Sequence, residues 1–162
     1  MVSSGMGSRP AREAASVAFE DLAAEAEPRL RRALVARYGV ELGNDLCSDA
    51  LAYAWEHRDR VGAMANPVGY LYRVAQSSAR RYHRWDRAPV FPAEEPVTVG
   101  EPTPGLPDAL AQLTAGQRVT VLLVHAYGWS YADAAAVLDI PVSTLRNHVH
   151  RGMKRLRRSL EH

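Results

Sequence analysis

The stretch APVFPAEEPVTVGEPTPGLP, residues 88–107, most constrains what this chain can fold into. It contains six prolines and two glycines, with three acids and no base. Because proline lacks an amide donor and clashes with the preceding helical turn, this segment cannot sustain a helix and is typical of an extended linker. The chain of 162 residues is therefore expected to form two small units separated by an acidic linker.

Apolar residues before the linker recur every three or four positions, as they do on one face of a helix. Gly39 is placed to end a first helix, and Asn44 to cap a second. Asn66 followed by Pro67 predicts the start of a third, because an amide side chain caps a helix and proline fits its first turn. We expect these helices to form a domain over residues 16–87.

Residues 1–15 are polar and contain Gly and Ser, so they are expected to form a disordered tail. They lack the apolar centre of a signal peptide, and no apolar run in the chain approaches the length of about 20 residues that spans a membrane. A single cysteine, Cys47, excludes an internal disulfide. These features predict a cytoplasmic protein that does not associate with membranes.

The segment GWSYADAAAVLDIPVSTLRNHVHRG, residues 128–152, predicts two short helices separated by a break. Ser130 is followed three residues later by an acid, an arrangement that caps the first helix. Proline at position 141 ends that helix, and the hydroxyls of Ser143 and Thr144 are available to cap the next. We interpret residues 108–162 as a domain containing a helix-turn-helix. The predicted fold is all-α, two small helical bundles joined by the proline-rich linker.

The second of these helices has one apolar face and one polar face. The apolar stripe, spaced by three or four residues, is expected to face the core and consists of Leu145, Val149, Met153, Leu156 and Leu160. The residues turned outward are Arg146, Asn147, His150, Arg151 and Lys154, and Ser143 and Thr144 lie at the start of the same helix. Arginine can bond guanine edges and asparagine can bond adenine, so we predict that this helix reads duplex DNA. The alternative is an ordinary solvated face.

Arginines and aromatic rings are interleaved near the end of the first domain. Arginines can hold the backbone of a single strand while rings stack on unpaired bases. The residues predicted to hold an opened strand are Arg80, Arg81, Tyr82, Arg84 and Trp85. The alternative is that the rings cover the core of the bundle.

The two patterns in this order resemble a small sigma factor of the extracytoplasmic-function (ECF, group 4) class of the sigma-70 family. LTAGQRVTVLLVHAYGWSYADAAAVLDIPVSTLRNHVHRGMKRLR resembles sigma region 4, which in the family reads the upstream promoter element. NDLCSDALAYAWEHR resembles the part of region 2 that grips the polymerase clamp, and NPVGYLYRVAQSSARRYHRW the part that opens and reads the downstream element. The resemblance implies that Asp45, Asp49 and Trp55 bind polymerase.

The sequence departs from the family pattern in both regions, mildly at Ser143 of the recognition helix and more clearly at other positions. Ser48-Asp49 stands where Gln-Glu is usual, and Ser77 and Arg81 stand where Asn and Asp are usual in the strand-opening helix. One extra residue precedes the helix-turn-helix, in Ala126-Tyr127-Gly128. The sequence therefore leaves open whether promoters are opened.

The resemblance implies that core RNA polymerase and promoter DNA are partners, and that the protein directs transcription initiation. No residues have the spacing of metal ligands or of a catalytic triad, so we expect no cofactor, no metal and no enzymatic activity. Two alternatives remain: a DNA-binding regulator that never opens promoters, and an adaptor that binds polymerase or another partner. The sequence does not settle whether an anti-sigma factor binds.

Overall fold

The computed structural model describes residues 8–82 and 103–162, and these residues contain helices and no strand. The helices are α1 (Ser8–Tyr38), α2 (Val40–Glu56), α3 (Arg58–Gly62), α4 (Pro67–Tyr82), α5 (Leu106–Ala111), α6 (Ala115–Val121), α7 (Tyr131–Leu138) and α8 (Val142–Leu160). A single π-helical turn, Leu122–Ala126, follows α6. The all-α prediction is confirmed.

Two predicted boundaries differ from those of the described helices. Helix α1 begins at Ser8, so residues 8–15 belong to a helix rather than to the predicted tail. Proline at position 10 fits the first turn, and the alanines that follow favour helix. Helix α5 begins at Leu106, inside the predicted linker, with Gly105 at its N-cap. The remainder of the tail and most of the predicted linker lie outside the described residues.

Gly39 forms the junction between α1 and α2. Gly39 has a φ of 87°, in the region that favours glycine, and it ends α1 as predicted. Helix α2 then begins at Val40, so the prediction that Asn44 caps this helix is wrong. Asn44 lies inside α2, where its Oδ1 accepts a hydrogen bond from Arg31 Nη1 at 2.7 Å. Its side chain ties α2 to α1 instead of capping a helix.

Helices α4 and α6 begin where the sequence predicts. The Gly69 amide donates to Asn66 Oδ1 at 3.1 Å, and Pro67 occupies the first turn of α4. Thr114 and Gln117 form a reciprocal capping box at the start of α6. Local side chain–backbone bonds of this kind need only a few neighbouring residues, which is why the sequence reveals them.

One continuous hydrophobic core joins the two halves, a feature that the sequence did not predict. Buried residues of α1, α2 and α4 belong to the same cluster as buried residues of α6, α7 and α8. Helix α4 packs on α7, and α1 packs on both α6 and α7. At the α4–α7 contact, Asn66 Nδ2 donates to the Ala136 carbonyl at 2.8 Å. The cap of α4 therefore also holds α7.

Replacing Gly43 with alanine should destabilise the protein, because the backbone of α1 lies directly against this residue of α2. An added Cβ would lie 2.6 Å from the Cα of Val35, so the backbones must separate. We expect Gly43→Ala to lower the free energy of unfolding by about 1–3 kcal/mol in urea denaturation. The matched control is Gly62→Ala, whose Cβ meets nothing within 4 Å. Equal stability of the two variants would contradict this account of the α1–α2 contact.

Candidate nucleic-acid interface

The apolar stripe of α8 faces the core over most of its length. Leu145, Val149 and Leu156 are buried, and Met153 is half-buried. Leu160, which the sequence also assigned to the core, is 38% exposed. It is the last residue of α8. The prediction of the stripe therefore holds for four of its five residues.

The predicted DNA-reading residues lie on the opposite side of α8. The exposed ones are Ser143, Arg146, Asn147, His150, Arg151 and Lys154, and Thr144 is half-buried. The guanidinium of Arg146 lies 5.9 Å from the ring centroid of Tyr131 on α7, a cation–π distance that anchors one basic side chain against the preceding helix. Apart from half-buried Thr144, these side chains are accessible to solvent.

The turn between α7 and α8 differs in one detail from the sequence prediction. The Asp133 amide donates to Ser130 Oγ at 3.0 Å, as predicted, and Asp139 ends α7 with a φ of 52°. The N-cap residue of α8 is Pro141, and no side-chain hydrogen bond caps this helix. The expected capping by Ser143 or Thr144 is therefore wrong.

The π-turn before the helix-turn-helix coincides with the extra residue noted in the sequence. The Tyr127 amide donates to the Leu122 carbonyl at 3.0 Å, five residues back rather than four. A π-turn of this kind inserts one residue into a helix without breaking it. Gly128, with a φ of 69°, then turns the chain toward α7. The extra residue is therefore accommodated before α7 begins.

The predicted strand-holding residues lie in the last turn of α4 and directly after this helix in the sequence. Arg80 and Arg81 are exposed in its last turn, as is Ser77 one turn earlier. Tyr82 is the last residue of the helix. Arg84 and Trp85 lie outside the described residues.

Next to these residues, α1 and α4 line a cavity of about 320 Å³ that the sequence did not reveal. The six lining residues, here called the arginine pocket, are Arg37, Tyr38, Arg73, Gln76, Ser77 and Arg80. Arg37 Nη1 donates to the hydroxyl of buried Tyr72 at 3.3 Å. Burial raises the pKa of Tyr72 to about 12, so this hydroxyl stays protonated and neutral beside the cation.

The predicted polymerase-binding residues are exposed on α2. Asp45 and Asp49 are four positions apart and share a face. Trp55 lies about 80° around the helix from Asp45 and is 43% exposed. Its ring is edge-on to Phe19 at 5.1 Å, and the Arg58 guanidinium lies 4.6 Å from its centroid. Trp55 thus packs against α1 while keeping part of its surface accessible.

A second polar cluster near α4 was also missed by the sequence analysis. The hydroxyls of Tyr53 and Tyr70 are 3.0 Å apart, and Arg60 donates to both. The hydrogen bond with Tyr53 and the nearby Arg60 cation lower the pKa of Tyr70.

Burial raises the pKa of the Cys47 thiol to about 11, which suppresses its reactive thiolate at neutral pH.

Across residues 8–82 and 103–162, no group of three metal-ligating side chains comes together. None of the helices in these ranges is long and apolar enough to cross a bilayer.

Comparison with known proteins identifies the family of this chain. The Sigma-70, region 4 family model matches residues 105–156. ECF RNA polymerase sigma factor SigL of Mycobacterium tuberculosis is 30% identical over 166 residues, covering 86% of this chain and 93% of SigL. SigC of the same species is 52% identical over 42 residues, covering 26% of this chain and 23% of SigC. The chain belongs to the ECF RNA polymerase sigma factors.

A solved structure agrees in fold. The sigma factor RpoE from Bartonella quintana, crystallised in complex with the anti-sigma factor NepR, superposes with a TM-score of 0.61 and 28% sequence identity. The match covers 88% of this chain and 96% of RpoE. This sigma factor therefore directs core RNA polymerase to promoters, as the resemblance implied.

Removing the Ser130 hydroxyl should destabilise this sigma factor, because it caps the helix-turn-helix. We expect Ser130→Ala to lower the free energy of unfolding by about 1 kcal/mol. The matched control is Ser143→Ala, since Ser143 is exposed and makes no capping bond to α8. Urea denaturation of both variants measures the difference. A larger loss for Ser143→Ala would mean that the assignment of the caps is wrong.

Proposed function

We propose a division of labour between the two halves of this sigma factor. The N-terminal half, over residues 16–87, contacts core polymerase through Asp45, Asp49 and Trp55 on α2. The end of α4 and the residues after it hold the opened strand, and α8 in the C-terminal half, over residues 108–162, reads duplex DNA. The segment 88–107 links the two. The protein acts in the cytoplasm without catalysing a reaction itself, since polymerase supplies the chemistry.

The observation that carries this proposal is the two-sided character of α8. Leu145, Val149 and Leu156 of its apolar stripe are buried and Met153 is half-buried, while its basic face is exposed. Burying the stripe fixes the rotation of the helix, so Arg146, Asn147 and Arg151 are held toward solvent together. Arginine and asparagine on one helical face can bond base edges in the major groove. The remaining basic residues of α8 can contact phosphates.

Two arginines of α8 should have different effects on DNA binding. One duplex is a promoter fragment selected for binding to the complex of this protein with core polymerase, and the other has a random sequence. We expect Arg146→Ala to weaken binding to the promoter fragment by about 1–3 kcal/mol and to leave binding to the random duplex nearly unaffected. Arg157→Ala, at an exposed position near the end of α8, should weaken both duplexes alike by removing a phosphate contact. Fluorescence anisotropy with both duplexes at matched salt concentration measures the four affinities. Equal losses on both duplexes for Arg146→Ala would contradict base reading.

One observation favours a second function, that of a regulator that binds DNA without opening it. Ser77 and Arg81 are exposed on α4, at positions where the family usually has Asn and Asp. A hydroxyl and a cation cannot make the same bonds to bases as an amide and a carboxylate. We favour strand opening nonetheless, because Arg80 and Arg81 keep two exposed cations beside each other for the strand backbone.

Permanganate reactivity of unpaired thymines separates these functions. The purified protein is mixed with core polymerase and with DNA fragments selected by the reconstituted complex. We expect thymine reactivity and transcripts only when protein and polymerase are both present. Binding of DNA without reactivity would favour the regulator, and binding of polymerase without DNA would favour an adaptor.

An anti-sigma factor is a further partner that we propose for this protein. The similar RpoE of Bartonella quintana was crystallised with the anti-sigma factor NepR. The match covers 96% of RpoE, and this similarity supports the proposal.

A further inference from the structure

The arginine pocket combines three guanidinium groups with neutral hydrogen-bond donors. Arg73, Ser77 and Arg80 are spaced by four and three positions on α4, so they share a face of that helix. Arg37 reaches the same cavity from α1. None of the six lining residues carries a negative charge. A cavity with this lining favours an anion, and planar guanidinium groups suit phosphate oxygens in particular.

Part of the pocket is already held in place. The Arg37 guanidinium donates to Tyr72 and lies 5.5 Å from the ring centroid of Tyr38. Arg73 and Arg80 are exposed and can adjust to a ligand. One cation is therefore preorganised at the cavity, and two remain adaptable at its edge. Such an arrangement lowers the ordering cost of binding a flexible strand.

Arg73 already binds an anion that comes from the other half of the chain. Its Nε lies 2.7 Å from Oδ2 of Asp139, the residue that ends α7. The Arg73 side chain is 67% exposed and that of Asp139 is 40% exposed. An ion pair this exposed is weak and readily exchanged. The Asp139 carboxylate is thus paired with one cation at the edge of the pocket, and a phosphate can displace it.

We propose that the arginine pocket binds a backbone phosphate of single-stranded DNA, and that the Asp139 carboxylate competes with that phosphate for Arg73. The inference rests on the proposed function in one respect, the holding of an opened strand by α4. It adds Arg37 and Arg73 to that role and makes the docked C-terminal half a modulator of strand binding.

The decisive experiment is a double-mutant cycle between Asp139→Asn and Arg73→Gln. Asparagine keeps the shape of Asp139 and tolerates its φ of 52°, so the substitution removes only the charge. Binding of a short fluorescein-labelled oligothymidylate to the full-length protein is measured by anisotropy. We expect Asp139→Asn to increase affinity about two- to fivefold with Arg73 present and to have no effect in the Arg73→Gln background.

The same cycle also gives the result that would overturn the proposal. An equal increase in both backgrounds would mean that Asp139→Asn acts through net charge rather than through Arg73. Absence of oligothymidylate binding by both wild type and Asp139→Asn would equally remove the site.

Salt dependence tests whether the ligand group is a phosphate. Loss of one phosphate contact should reduce the slope of log affinity against log salt by about 0.7 for a single strand. We expect that reduction for Arg80→Gln. The control is Arg12→Gln, an exposed arginine about 37 Å away along α1 from Arg37, which should leave the slope unchanged. Equal slopes for Arg80→Gln and wild type would exclude Arg80 from the site and overturn the proposal.

Failure of this inference can be told from failure of the proposed function. Normal thymine reactivity with the Arg73→Gln/Arg80→Gln double variant and polymerase would reject the pocket and keep strand opening. Conversely, the double-mutant cycle could give the expected result while wild type with polymerase gives no thymine reactivity. That outcome would support phosphate binding by the arginine pocket and reject strand opening.

Discussion

Helix α1 is the element on which the rest of the structure depends, because both halves of the sigma factor pack on it. Leu30 and Leu34 have no exposed surface, and each such burial stabilises the fold by about 1.5–3 kcal/mol. On one side α1 contacts α2 and α4, and on the other it contacts α6, α7 and the π-turn. At its end the Arg37 carbonyl accepts a hydrogen bond from Arg118 Nη2 at 3.3 Å. The stability of each half is therefore coupled to the other through one helix.

The sequence predicted those features that short-range chemistry determines. The caps at Asn66 and Ser130 were correct because a side chain there needs only an amide three residues away. The stripe of α8 was correct because helical periodicity decides which face is buried. Asn44 was misjudged as a cap because the break at Gly39 starts α2 at Val40, and Ser143 because Pro141 occupies the N-cap of α8. Packing between the halves brings Asp139 next to the arginine pocket. This packing involves long-range contacts that no local sequence pattern encodes.

The docked arrangement affects the two proposed DNA-binding surfaces unequally. The basic face of α8 stays exposed while α7 packs on α4. The strand-holding surface of α4 is different, because one of its arginines pairs with α7. We infer that the basic face of α8 is available to duplex DNA while Arg73 is still paired with Asp139.

The energies at the contact between the halves favour local exchange over complete separation. The Arg73–Asp139 pair is largely exposed, and such pairs contribute between about 0 and 1 kcal/mol. The shared core, by contrast, includes fully buried residues on both sides, Leu34 and Leu123 among them. Separating the halves would expose this core. A phosphate that displaces the Asp139 carboxylate from Arg73 breaks only the weak ion pair. The lower-energy route to strand binding is therefore release of Arg73 while α1 keeps both halves together.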